Sequence, residues 1–120
     1  MGTFPIHGVI LERLVIPIVL KYKKSAIQTS CVLDTGSPWT FISRETFEAI
    51  GIMDVNGYAH ISVQGLPIPV YESTNHFYDI NLCGQSFLGD NLLKLTVDYR
   101  KRKVLIEKTA ELIMEEIEEL

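Results

Sequence analysis

The stretch Cys31-Val32-Leu33-Asp34-Thr35-Gly36-Ser37-Pro38-Trp39-Thr40-Phe41-Ile42 constrains this chain more than any other. An apolar run leads into an acid, a small hydroxyl residue and a glycine, and a second apolar run leaves the turn. Runs of that kind read as strands, so the acid falls at a strand end. There, desolvation and neighbouring groups set the pKa, which is how a carboxylate becomes catalytic. Gly36 lets a substrate backbone approach with no side chain in the way. The tripeptide Asp-Thr-Gly recurs in unrelated turns. Its apolar frame and a second glycine motif downstream make it specific.

Strands are expected along most of the chain, because Val, Ile, Thr, Tyr and Phe recur in short runs between Gly, Pro and Asn. Residues 1–13 read as an irregular N-terminal arm with Gly2, Pro5 and Gly8. Residues 14–20 form a strand whose Pro17, lacking an N–H, belongs at an edge or a bulge. A polar turn over 21–25 returns the chain through a strand over 26–33. Beyond the Asp34 turn, a strand over 39–43 precedes a short helix over 44–51, capped by Ser43 and stopped by Gly51. Asn56-Gly57 signals a tight turn. Residues 58–64 and 66–71 flank Gly65 as a hairpin, with Pro67 and Pro69 on one unpaired edge.

A strand over 75–82 ends at Cys83-Gly84. Phe87-Leu88-Gly89-Asp90-Asn91-Leu92-Leu93 then repeats the pattern of apolar residues entering a glycine. Residues 95–99 and 104–107 form a hairpin closed by the basic turn 100–103. The tail, 108–120, reads as an amphipathic helix with Ile113, Ile117 and Leu120 on one face. Its acids oppose the macrodipole at the C-terminal end, so it depends on docking that face.

A length of 120 residues suits one compact domain. The net charge of −4 argues against a nucleic-acid partner. The lysine and arginine runs read as solvated turns. Two cysteines cannot build a disulfide framework, and two free, partly buried thiols are favoured over one bridge. No segment approaches the ~18–20 apolar residues of a membrane helix, and no signal-peptide pattern is visible. The expectation is a cytoplasmic protein or one released from a polyprotein, with no membrane contact.

In these features the chain resembles a retropepsin-like aspartic protease, the single-domain half of the pepsin architecture. The resemblance rests on Val32-Leu33-Asp34-Thr35-Gly36-Ser37, the helix over 45–51, the glycine-tipped hairpin and Phe87-Leu88-Gly89-Asp90-Asn91-Leu92-Leu93, in matching order along residues 14–107. It implies a mostly β, closed acid-protease barrel, with a short helix before a hairpin flap and a C-terminal helix after the barrel. It also implies an aspartic endopeptidase needing no cofactor and no metal.

Such hydrolysis uses two carboxylates sharing one proton, one activating a water and the other polarising the scissile carbonyl. The chain has a single Asp-Thr-Gly. An obligate homodimer is therefore expected, with Asp34 of both copies meeting on the two-fold axis. By resemblance, Thr35 locks the two loops across the dimer and Gly36 presents its carbonyl to substrate. The Ser37 hydroxyl, on the Asp34 carboxylate, favours an acidic working range. Val63, Gln64, Gly65 and Leu66 close over an extended peptide or polyprotein segment bound as an added strand. Trp39, Leu66 and Ile68 serve as pocket walls, although Trp39 reads equally well as core. Leu88 and Gly89 supply the second glycine motif.

Three departures qualify the resemblance. Many retroviral relatives pair an acid two residues after the motif glycine with an arginine after the second glycine. Here Pro38 and Asp90 occupy those positions. The last strand is followed by a helix rather than ending the chain, and the segment 83–88 is short. The competing function is a non-catalytic dimerisation or peptide-binding module on the same fold. A structural barrel with no site is a third reading. The intact Asp34-Thr35-Gly36 favours the enzyme, since a binding module has no need of the carboxylate.

Overall fold

The computed structural model describes residues 3–53, 56–74 and 79–109. Over these the protein is mostly β: β1 (Ile6–Ile10), β2 (Leu14–Tyr22), β3 (Ser25–Leu33), β4 (Thr40–Ile42), the helix α1 (Arg44–Ala49), β5 (Tyr58–Val63), β6 (Leu66–Glu72), β7 (Leu82–Cys83), β8 (Leu93–Asp98) and β9 (Lys103–Lys108). Alternation decides which faces are buried. Ile16, Ile18 and Leu20 of β2, Ile61 and Val63 of β5, and Ile68 and Val70 of β6 all point inward. Phe47 from α1 and Phe87 complete the core. Each such side chain contributes about 1.5–3 kcal/mol on burial.

The pairings form a circuit. Antiparallel β2 and β3 run from Val15 opposite Val32 to Tyr22 opposite Ser25. The ladder continues from β3 to β7 in parallel, β7 to β4 antiparallel, β4 to β6 in parallel and β6 to β5 antiparallel. Then β5 returns to β2 at Leu20 opposite Val63. Outside the circuit, β1 lies between β2 and β9, and β8 is the outermost strand. The parallel β4–β6 pair arises because β5, antiparallel to β6, runs back before β6 returns alongside β4. Ser43 caps α1 by accepting the Thr46 N–H, and Gly51 at φ +88° follows its end, as expected.

The N-terminal segment differs from its expected irregular arm. Ile6 is buried, and β1 pairs with both β2 and β9. Gly8 is a packing residue rather than a breaker. A Cβ there would collide with the Val15 carbonyl oxygen and come within 2.8 Å of Ile16 Cγ2. Pro17 lies in the interior of β2, not on an edge strand. On the side away from β3, β2 pairs with β1 at Val15 and with β5 from Leu20. Pro17 falls in the gap between those partners, where no N–H is required.

The β5–β6 hairpin is tied down at its tip. Gln64 and Gly65 turn with φ of +53° and +82°. The Gln64 N–H donates to the Val19 carbonyl at 2.9 Å. Its side-chain oxygen accepts the Val19 N–H at 2.9 Å, and its amide nitrogen donates to the Thr3 carbonyl at 2.7 Å. Gln64 thus continues the β2–β5 ladder past Val63 and holds the N-terminal segment at Thr3. Gln64→Ala is expected to cost about 1–3 kcal/mol in urea denaturation, because the partly buried Val19 N–H loses its acceptor. A change below about 0.5 kcal/mol would mean that water replaces the side chain without loss.

Of the expected strand over 75–82, residues 75–78 lie outside the described residues, and among the described ones Leu82 is in a strand, as part of β7. Lys108, expected to begin the tail helix, is the last residue of β9. The Thr109 hydroxyl donates to the Leu92 carbonyl at 3.2 Å, and the rest of the expected helix lies outside the described residues. Among the described residues, no helix is long and apolar enough to cross a membrane.

Candidate active site

Asp34 follows the last residue of β3, and three hydrogen bonds shape its turn. Its N–H donates to the Cys83 carbonyl at 2.9 Å, and its own carbonyl accepts the Ser37 N–H at 3.1 Å. The Gly36 N–H donates to the carboxylate Oδ1 at 3.0 Å, which orients the acid back over the turn. Asp34 is half-buried while Thr35 and Gly36 are exposed. A Cβ on Gly36 would lie 3.3 Å from Oδ1, so a side chain there would crowd the carboxylate.

The turn is backed by residues that follow β7. Gly84 fits where no side chain fits, because its Cβ would collide with the Ser37 and Trp39 carbonyl oxygens. The Gly84 N–H donates to the buried Thr40 hydroxyl at 3.3 Å, and that hydroxyl pairs with the Ser86 hydroxyl at 2.7 Å. The Gln85 and Ser86 N–H groups donate to the Ser37 and Pro38 carbonyls at 2.7 and 3.0 Å. The Gln85 side-chain amide donates to the Thr35 carbonyl at 2.7 Å. Buried Asn81 accepts the Ser43 N–H at 2.9 Å and donates to the Ser30 carbonyl at 3.2 Å, joining β3 to the start of α1. The turn is therefore held from behind by main chain and open in front.

This geometry corrects several expectations. The glycine seated against the Asp34 turn is Gly84. Leu88 is a core residue, and Gly89 packs against its neighbour Gln85. The position after the seated glycine is then Gln85, not Asp90, and its amide reaches Thr35. The motif Leu82-Cys83-Gly84 was visible as an apolar pair before a glycine. The apolar frame around Gly89 is longer and gives the stronger local signal. The Ser37 hydroxyl does not reach the carboxylate. It donates to the Trp39 carbonyl at 2.9 Å and accepts the Trp39 N–H at 3.3 Å, closing the turn.

The flap residues are also placed elsewhere. Val63 and Ile68 are fully buried, Leu66 packs on the core, and Gln64 is committed to Val19 and Thr3. Val19 lies opposite Gln28 of β3. Six residues of extended strand, about 20 Å, separate Gln28 from Asp34. The Gly65 tip therefore lies beside the part of β2 offset by about 20 Å along the strand from the acid. The opposite end of the hairpin brings Tyr71 against Trp39 instead.

Trp39 is 48% exposed, and its ring meets Tyr71 edge-on at 5.9 Å. Tyr58 and Phe41 flank Tyr71 at 5.1 and 6.1 Å. This aromatic shelf leads from the Asp34 turn to an open hollow of about 390 Å³ beside Phe41, Arg44 and Glu72. Arg44 there bonds Glu72 at 2.8 Å and Glu48 at 3.1 Å. Another hollow, about 440 Å³ between β3 and α1, is lined by Ser43, Thr46 and Asn81, whose polar groups bond one another or main chain.

Among the described residues, no group of three or more His, Cys, Asp or Glu is arranged to hold a metal ion. The site offers one oriented carboxylate, exposed backbone at Thr35 and Gly36, and an aromatic wall. That set can polarise or deprotonate one group. A scan against family models and searches of curated proteins and of solved structures find no match to this chain.

Proposed function

We propose that this chain is one half of a homodimeric aspartic endopeptidase built on a closed, retropepsin-like barrel. The observation that carries the reading is the Asp34 turn itself. An acid at a strand end accepts the N–H of the glycine two residues on, and main chain from a second strand locks it from behind. Two copies facing through Thr35 and Gly36 would bring two Asp34 carboxylates together. Like charges at that distance share one proton, so one acid takes the proton of a water while the other donates to the scissile carbonyl. The Gly36 carbonyl and the Trp39–Tyr71 shelf would then bind an extended peptide with an apolar side chain near the cut.

The non-catalytic peptide-binding module keeps one observation in its favour. The hairpin that should cover the cleft is stitched to β2, so this chain lacks a water-excluding cover from residues 63–66.

A peptide-library digest read by mass spectrometry separates the two readings. The enzyme should cut between apolar residues, stop with a statine-type transition-state inhibitor, and lose specific activity on dilution as dimers dissociate. Binding without cleavage at any concentration would leave the module. Full activity in a sample shown by sedimentation to be monomeric would sink the shared site.

A further inference from the structure

The two cysteines take no part in the proposed chemistry, yet the fold brings them together. Cys31 is on β3 and Cys83 on β7, both buried free thiols, with sulfur atoms 2.6 Å apart. A disulfide has a sulfur–sulfur bond of about 2.05 Å, so the two sulfurs stand within about 0.6 Å of bonding distance. The strands are already paired in parallel at Val32–Leu82 and Leu33–Cys83. That ladder is short, because β7 has two residues, and it carries the carbonyl that receives the Asp34 N–H. A bond between Cys31 and Cys83 would cross-link the backing of the Asp34 turn and close a loop spanning a sequence separation of 52.

We propose that Cys31 and Cys83 are an oxidation site that forms one reversible intramolecular disulfide. The co-reactant is a low-molecular-weight disulfide such as oxidised glutathione. One cysteine thiolate attacks it, releasing one glutathione thiol and leaving a mixed disulfide. The second cysteine then attacks the protein sulfur of that intermediate and releases the other glutathione. Two protein thiols lose two electrons and two protons, and one glutathione disulfide becomes two thiols. Burial first, and then the Cys83 contact, push the Cys31 thiol well above the ordinary cysteine value. Attack from the folded state is therefore slow, and the bond forms when the β3–β7 ladder opens or during folding.

The test is to unfold the protein in denaturant and refold it in glutathione buffers of graded redox poise. Thiols are then counted in denaturant, and intact mass and melting temperature are measured. The oxidised monomer should show none of its two thiols, a mass lower by about 2 Da, and a melting temperature higher by about 5–10 °C. Dithiothreitol should reverse all three changes. Cys31→Ser and Cys83→Ser each remove the partner and should hold the melting temperature constant across the redox series. The proposal is overturned by two free thiols in the refolded wild type at oxidising poise. Cross-linked species of doubled mass only, or an oxidised monomer that melts lower than the reduced one, would overturn it equally. None of these readings depends on peptidase activity.

Discussion

Asp34→Asn should lower peptide cleavage by about 10²–10⁴-fold or more while leaving the fold intact, because in the proposed mechanism Asp34 takes and returns the proton. The substitution is nearly isosteric. Its amide oxygen can still accept the Gly36 N–H that Oδ1 accepts at 3.0 Å in the native turn. Melting temperature and dimer content should therefore hold steady while activity disappears. Mixing gives a sharper version. Equal amounts of wild-type and Asp34→Asn chains, unfolded and refolded together, should pair at random. Only wild-type pairs would carry both acids, so wild-type activity should fall to about half that of the same wild-type chains refolded alone. Unchanged activity after mixing would mean that each chain works with its own site. Cleavage by the Asn variant at the wild-type rate would remove Asp34 from the chemistry altogether.

What the sequence made legible follows from how local each signal is. Strands β2 and β3, the Ser43-capped helix and the β8–β9 hairpin are written in alternation, capping and turn residues a few positions apart. The Asp34 turn was legible for the same reason, since its apolar frame and Gly36 lie within one short stretch. What escaped depends on residues far apart in the chain. Gly8 reads as part of an irregular arm because nothing nearby in sequence shows that β2 must pass against it. The β5–β6 hairpin read correctly as a hairpin. Its direction, however, is set by Gln64 bonding Val19, a partner 45 positions away, and that contact turns the tip from the acid. Buried Thr40, Asn81 and Ser86 look like ordinary polar residues in sequence. Their hydrogen bonds across the β3–β7–β4 junction give them their role.

The choice between two glycines makes the second large prediction. Gly84→Ala should destabilise the protein by about 3 kcal/mol or more, at the upper end of overpacking costs. The added Cβ would meet the Ser37 and Trp39 carbonyl oxygens, and these are main-chain atoms already fixed by Gln85 and by the Ser37 hydroxyl. They cannot step aside without opening the Asp34 turn. Gly89→Ala meets a different neighbour, the Gln85 side-chain oxygen at 2.5 Å, the far end of a flexible side chain that can rotate away. Its cost should be about 1 kcal/mol or less, since rotation gives up little beyond the Gln85 bond to the Thr35 carbonyl. Urea denaturation of the two variants side by side reads the difference directly. Equal losses, or a larger loss at Gly89, would return the second glycine motif to Leu88 and Gly89. A large loss at Gly84 alone would tie the folding of this chain to the contact that holds its catalytic candidate, because the main chain after β7 can approach the Asp34 turn this closely only through a residue without a side chain.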